Sequence, residues 1–123
     1  MISGKRILVI EDDAGIRESL ASGLEAAGLS VDVAVDGLDG LARLYAGESP
    51  AVILLDLRLP RLGGAEFLRA MRANPRFEHV PVITMTAGAA PSGGPEVLAH
   101  LNKPFDLDDL LQIVLSLIEA SAA

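Results

Sequence analysis

The sequence predicts an α/β fold built on a parallel sheet with right-handed crossovers. Three observations carry this. Ala51-Val52-Ile53-Leu54-Leu55 runs five apolar residues without a break into Asp56, between Ser49-Pro50 and Pro60. A second strand of the same kind, Lys5 to Ile10, ends in Glu11-Asp12-Asp13. Segments with helical spacing alternate with such strands along the chain. An apolar run that does not alternate marks a strand buried on both faces, and strand–helix alternation implies parallel pairing with helices covering each face.

Taken in order, Asp13 is placed to cap a helix over 14–27. Its apolar stripe is Ile16, Leu20, Leu24 and Ala27, and Gly28 closes it. Ser30 to Val35 alternates Val31, Val33 and Val35 with Asp32 and Ala34, the pattern of a half-exposed strand at a sheet edge. Asp36 caps the next helix, expected to turn Leu38, Leu41, Ala42 and Tyr45 inward and to end at Gly47. After the central strand, Arg61-Leu62-Gly63-Gly64 is permissive backbone. A helix over 65–73 turns Phe67, Leu68 and Met71 inward and stops before Pro75. Val80 to Met85 is the fourth strand, Val97 to Leu101 a short fifth, and Asp106 caps a last helix from Leu107 to about Glu119.

At 123 residues the chain reads as one domain over 1–123. It has no apolar run approaching a membrane span and no signal-peptide core after Met1, which leads to the expectation of a cytoplasmic protein. Having no cysteine, it has no disulfide, thiolate nucleophile or cysteine metal site. The net charge of −7 repels a phosphate backbone, and three Phe, one Tyr and no Trp make no base-stacking platform, which argues against nucleic acid as a partner.

The strands deliver Glu11, Asp12, Asp56 and Thr86 to one edge of the sheet, and Lys103 follows the fifth strand. In open parallel sheets the crevice at the carboxyl ends of the strands is where ligands bind. Adjacent carboxylates raise one another's pKa unless a cation neutralises them. Mg²⁺ prefers hard oxygen ligands, usually one or two carboxylates with waters and a phosphate oxygen. Asp12 and Asp56 suit that demand, with Glu11 holding a metal-bound water. One Asp56 oxygen then remains as nucleophile toward phosphorus, an accepted covalent chemistry for aspartate. Thr86 can donate to a phosphoryl oxygen and Lys103 can pair with another.

These residues lie in four motifs in register: Ile7-Leu8-Val9-Ile10-Glu11-Asp12-Asp13, Leu54-Leu55-Asp56-Leu57-Arg58-Leu59-Pro60 with Gly63-Gly64, Pro81-Val82-Ile83-Thr84-Met85-Thr86-Ala87, and Asn102-Lys103-Pro104-Phe105. In this the sequence resembles the receiver domain of the two-component response regulator family. The resemblance implies a flavodoxin-like (CheY-like) doubly wound sheet of order 2-1-3-4-5. It implies phosphorylation of Asp56 by a histidine kinase or histidine phosphotransfer protein, with Mg²⁺ held by Asp12, Asp56 and the backbone carbonyl of Arg58 beside Glu11. Thr86 would be the switch hydroxyl with Ala87 next to it, Lys103 the phosphate-pairing cation, and His100, three before Lys103, would stand at the switch-aromatic position. The protein would be a signalling module rather than an enzyme, acting on a downstream protein.

Two departures from the family follow. The interval from Thr86 to Lys103 is short and carries Pro91 and Pro95, so the helix expected between the fourth and fifth strands is shortened or missing, at most one turn between Ala87 and Pro95. The apolar positions of the last helix fill an arc of roughly 200 degrees, wider than one core requires, so either a rearranged loop from Ala87 to Pro95 covers the excess or Ile113 and Leu117 meet a partner or a second copy as a homodimer. The alternatives are a receiver-like scaffold whose output ignores phosphorylation and the receiver portion of a hybrid histidine kinase. A haloacid dehalogenase type of phosphatase would need an acid two residues after the nucleophile, where this chain has Arg58.

Overall fold

The computed structural model describes residues 4–47, 49–86 and 99–122. Five parallel strands, β1 (Arg6–Ile10), β2 (Ser30–Ala34), β3 (Val52–Asp56), β4 (Val82–Thr86) and β5 (Ala99–Asn102), form one sheet of order β2-β1-β3-β4-β5. The helices are α1 (Ala14–Ala26), α2 (Gly37–Ala46), α3 (Gly64–Arg72) and α4 (Leu107–Ala122), with a 3-10 turn at Pro75–Phe77. The expected class and sheet order therefore hold. Among the described residues no helix is long and apolar enough to cross a membrane.

Successive residues of a strand point to opposite faces, and each face here is roofed by helices. Ile7, Val9, Leu54, Ile83 and Met85 pack with Leu20 and Leu24 of α1 and Leu110, Val114 and Ile118 of α4. Leu8, Ile10, Ile53, Leu55 and Val82 pack on the other side with Leu44 of α2, Phe67, Leu68 and Met71 of α3, and Phe77. All five residues of β3 are buried, which is why its sequence does not alternate.

The helix ends follow elementary capping. The Asp13 carboxylate accepts from the Ile16 amide at 2.9 Å, and Gly28 takes φ +93°, a left-handed conformation that a Cβ would oppose. Asp36 accepts from the Asp39 amide at 2.8 Å, and Asp106 from the Asp108 amide at 2.9 Å.

The face of α2 differs from expectation. Leu38 and Tyr45 are about half exposed and Ala42 is exposed, while Gly37, Gly40 and Leu44 are buried and Leu41 is half-buried. The reason is steric. A Cβ at Gly40 would lie 2.7 Å from Ile10 Cδ1 and 3.0 Å from Phe67 Cε1, and one at Gly37 would overlap the Leu62 carbonyl. The first turns of the helix thus pack closely through glycines, Leu44 enters the core further along, and Leu38 and Tyr45 face outward. On β2, at the sheet edge as expected, Ala34 is buried and Val35 lies beyond the strand and exposed, because the buried face there adjoins α2.

Smaller shifts of boundary separate other elements from expectation. β4 begins at Val82 and includes Thr86, β5 covers Ala99–Asn102, and α4 extends to Ala122. The expectation of a shortened or missing helix, like the expected role of Ala87, falls on residues 87–98, outside the described residues.

Candidate functional site

The acid edge is assembled by register. Ile10 pairs with Leu55, so Glu11 leaves β1 beside Asp56, the last residue of β3. Glu11 extends the pairing by donating its amide to the Ala34 carbonyl at 3.0 Å. Asp56 lies opposite Met85, which places Thr86 one residue further along β4, buried at the strand end. The Lys103 amide donates to the Thr86 carbonyl at 2.8 Å and fixes the loop after β5 against the same edge.

Carboxylate oxygens of Glu11, Asp12 and Asp56 lie within 4.8 Å of one another. Glu11 and Asp56 are buried and Asp12 is exposed. The Lys103 ammonium donates to Glu11 Oε1 and, at 3.2 Å, to Asp56 Oδ2, while the Arg58 amide donates to Asp56 Oδ1 at 3.0 Å. Glu11 Oε2 is buried and has no hydrogen-bond partner among the described residues.

Burial, reinforced by the neighbouring Asp56, pushes the Glu11 carboxyl up to about 7 against the pull of Lys103. Burial also pushes Asp56 up, but its contacts with Glu11, the Arg58 amide and Lys103 outweigh this and hold it below the ordinary carboxylate range. For Lys103, pairing with the two acids overcomes the cost of burial and raises its pKa. Of the two buried acids, the cluster thus favours the charged form of Asp56 over that of Glu11.

Three hard carboxylate donors at this spacing, one buried oxygen among them without a donor, suit a small divalent cation such as Mg²⁺. Next to Lys103, an apolar hollow of about 710 Å³ opens between α1 and the loop after β5, lined by Ile16, Leu20, Pro104, Phe105 and Leu107.

The other candidates lie apart from the acids. His100 sits opposite Thr84 on β4, and its Nδ1 is 2.6 Å from Thr84 Oγ1; its Nε2 is buried without a partner among the described residues. Ile113 and Leu117 are half-buried flanks of α4 against the core on the α1 side.

Three contacts around the site did not stand out in the sequence. Arg17 donates to the Glu11 carbonyl at 2.9 Å and the Asp12 carbonyl at 3.3 Å, holding the acidic turn from below. Its place, one helical turn after the cap Asp13, was the available signal. Asp36 and Arg61 form an ion pair between two different turns, which no local pattern announces.

The model of the response regulator receiver domain family matches residues 7–115. Response regulator MprA of Mycobacterium sp. (strain KMS) is 36% identical over 122 residues, covering 95% of this chain and 52% of that protein. MprA of Mycolicibacterium vanbaalenii is 39% identical over 111 residues, covering 86% and 47%. The chain spans about half the length of these curated relatives. Among solved structures, the receiver domain of sensor histidine kinase PA1611 from Pseudomonas aeruginosa PAO1, with a magnesium ion coordinated in its active site cleft, is similar at TM-score 0.85 and 29% identity, covering 95% of this chain and 99% of that one. Chemotaxis protein CheY4 of Vibrio cholerae is similar at TM-score 0.84 and 26% identity, covering 94% and 99%. Fold, acid edge and sequence agree, and the chain belongs to the response regulator receiver domain family.

Proposed function

We propose that the protein is the phosphoacceptor of a two-component phosphorelay, taking a phosphoryl group on Asp56 from a histidine kinase or histidine phosphotransfer protein and signalling through protein contact. The observation that carries this reading is the convergence of Glu11, Asp12 and Asp56 within 4.8 Å, beside Lys103. Receiver domains generally act as signalling modules and not as enzymes, and this one is read in the same way.

In the transfer, an oxygen of the Asp56 carboxylate forms the bond to phosphorus as the phosphorus–nitrogen bond of the donor phosphohistidine breaks. The electron pair stays on the imidazole nitrogen, which takes up a proton. The Arg58 amide orients the attacking carboxylate, and Lys103 neutralises charge on the entering group. Glu11, Asp12, Asp56 and the Arg58 backbone carbonyl are the groups that would hold Mg²⁺, which supplies charge neutralisation for the phosphoryl oxygens. Thr86, with Ala87 and His100, is assigned to the response, and the flank of α4 at Ile113 and Leu117 to a downstream protein or a second copy.

Incubation with a small acyl phosphate and Mg²⁺, beside Asp56→Asn, tests the reading. Label on wild type that is lost in the variant is expected, and an unlabelled wild type would overturn it. Label on Asp56 with no change in any binding property would point instead to the scaffold. A second context, the receiver portion of a hybrid histidine kinase, draws on the similarity to the PA1611 receiver domain.

A further inference from the structure

The segment between Asp56 and α3 carries Arg58, and its far end is fastened to another part of the fold. Arg61 takes φ +64°, the left-handed region that a residue with a Cβ enters at a cost. Its guanidinium reaches Asp36, with Nε 2.7 Å from Oδ2 and Nη2 2.5 Å from the same oxygen. Asp36 is buried and already committed to capping α2 through the Asp39 amide. That amide, together with Arg61, holds its carboxyl below the usual range despite burial. Beside this pair the Leu62 carbonyl lies against Gly37, in space that any side chain there would fill. The loop after the phosphoacceptor is therefore clamped to the first turn of α2, and an uncompensated left-handed arginine would have reason to relax and take Leu57 to Leu62 with it.

We propose that Arg61, acting through Asp36, is a positioning residue for phosphoryl transfer: the pair sets the loop so that Arg58 stays on Asp56 and beside the acid cluster. The proposal rests on the reading of Asp56 as phosphoacceptor. It touches no reacting atom. Its effect is on where the Arg58 amide and carbonyl stand, and so on the affinity of the cluster for a divalent cation.

The test uses the full chain, with Mg²⁺ titrated alone by calorimetry and acceptance from acetyl phosphate followed separately. In the latter, an Asp56 oxygen bonds to phosphorus while the bond from phosphorus to the acetate oxygen breaks, acetate leaving with the electron pair. Asp36→Asn keeps the helix cap but removes the charge that Arg61 meets, and Arg61→Ala removes the guanidinium while keeping the Cβ that strains the left-handed backbone. Each variant is expected to weaken Mg²⁺ binding about ten-fold, the range seen when groups behind a ligand are removed, and the double variant no further than either alone. Acceptance at saturating Mg²⁺ should recover to near the wild-type rate.

Wild-type Mg²⁺ affinity in either folded variant, or losses that simply add in the double variant, would overturn the proposal. A wild-type protein that neither binds Mg²⁺ nor takes label would bring down the functional reading itself, so the two failures are distinguishable. Should Asp36→Asn not fold, Arg61→Ala decides alone, because it leaves the Asp36 cap of α2 in place.

Discussion

Glu11 is the residue whose charge most depends on its surroundings, and its titration gives the protein a pH signature. Its folded value of about 7 lies above the ordinary 4.5, so the folded state keeps a proton that the unfolded chain has released across that interval. The unfolded state then binds fewer protons, and stability falls as pH rises. Asp56, lowered from 3.8, contributes stability that is lost only as pH falls through its folded value, and Lys103, raised from 10.5, contributes stability lost only as pH rises through its own. The slope between pH 4.5 and 7 therefore belongs to Glu11. Urea unfolding without divalent metal should show stability declining over that window, and Glu11→Gln should flatten it, with a gain in stability over wild type at pH 8. The Thr84–His100 bond makes a separate claim. Thr84→Val removes the hydroxyl that meets Nδ1 and should cost about 1 kcal/mol in the same assay; a neutral result would mean that the bond adds nothing to stability. The sequence pointed to the acids, Thr86 and Lys103 through their places at strand ends. It did not point to Thr84 as the partner of His100, because strand register, which aligns them, is not written in either segment.

Among the elements, α2 shows where pattern reading stops. Leu38, Leu41, Ala42 and Tyr45 look like the inner stripe because burial is normally sought in large apolar side chains, yet Gly37, Gly40 and Leu44 face the core. A close helix–sheet approach leaves no room for a stripe, and the glycines that permit it read in sequence as weak helix formers. Gly37→Ala, which meets a backbone carbonyl that cannot yield, should destabilise the protein by about 2 kcal/mol, whereas Leu38→Ser on the outer face should stay within about 0.5 kcal/mol. Equal effects in thermal unfolding would refute this assignment of faces. By contrast, α3 matched expectation, since Phe67, Leu68 and Met71 are bulky and all buried. For α4, the inner ridge is Leu110, Val114 and Ile118 at a spacing of four, and Ile113 and Leu117 flank it half-buried. Ile113→Asp and Leu117→Asp should leave labelling of Asp56 intact while weakening self-association or target binding; association unchanged in both would remove the α4 flank from consideration.

For the molecule as a whole, the class was legible because β1 and β3 are apolar without alternation and both end in acid, a pattern that a doubly covered parallel sheet requires. Strand order came from the resemblance, since no run of residues states which strand lies beside which. A net charge of −7 with three acids gathered at one edge favours a divalent cation through the whole molecule's charge as well as through the cluster. Mg²⁺ at about a hundred times its dissociation constant should stabilise the folded state by about 2.7 kcal/mol, read as a rise in melting temperature that Asp12→Asn or Asp56→Asn abolishes. An unchanged melting temperature would speak against a metal site. The bond between Lys103 and Glu11 joins residues 92 positions apart, and Asp56 stands between them in sequence. A chain made only as far as β4 holds both acids and lacks the ammonium that bridges them. The carboxylates of the first half of the sequence thus wait, like an arch without its keystone, for a residue that is laid down late.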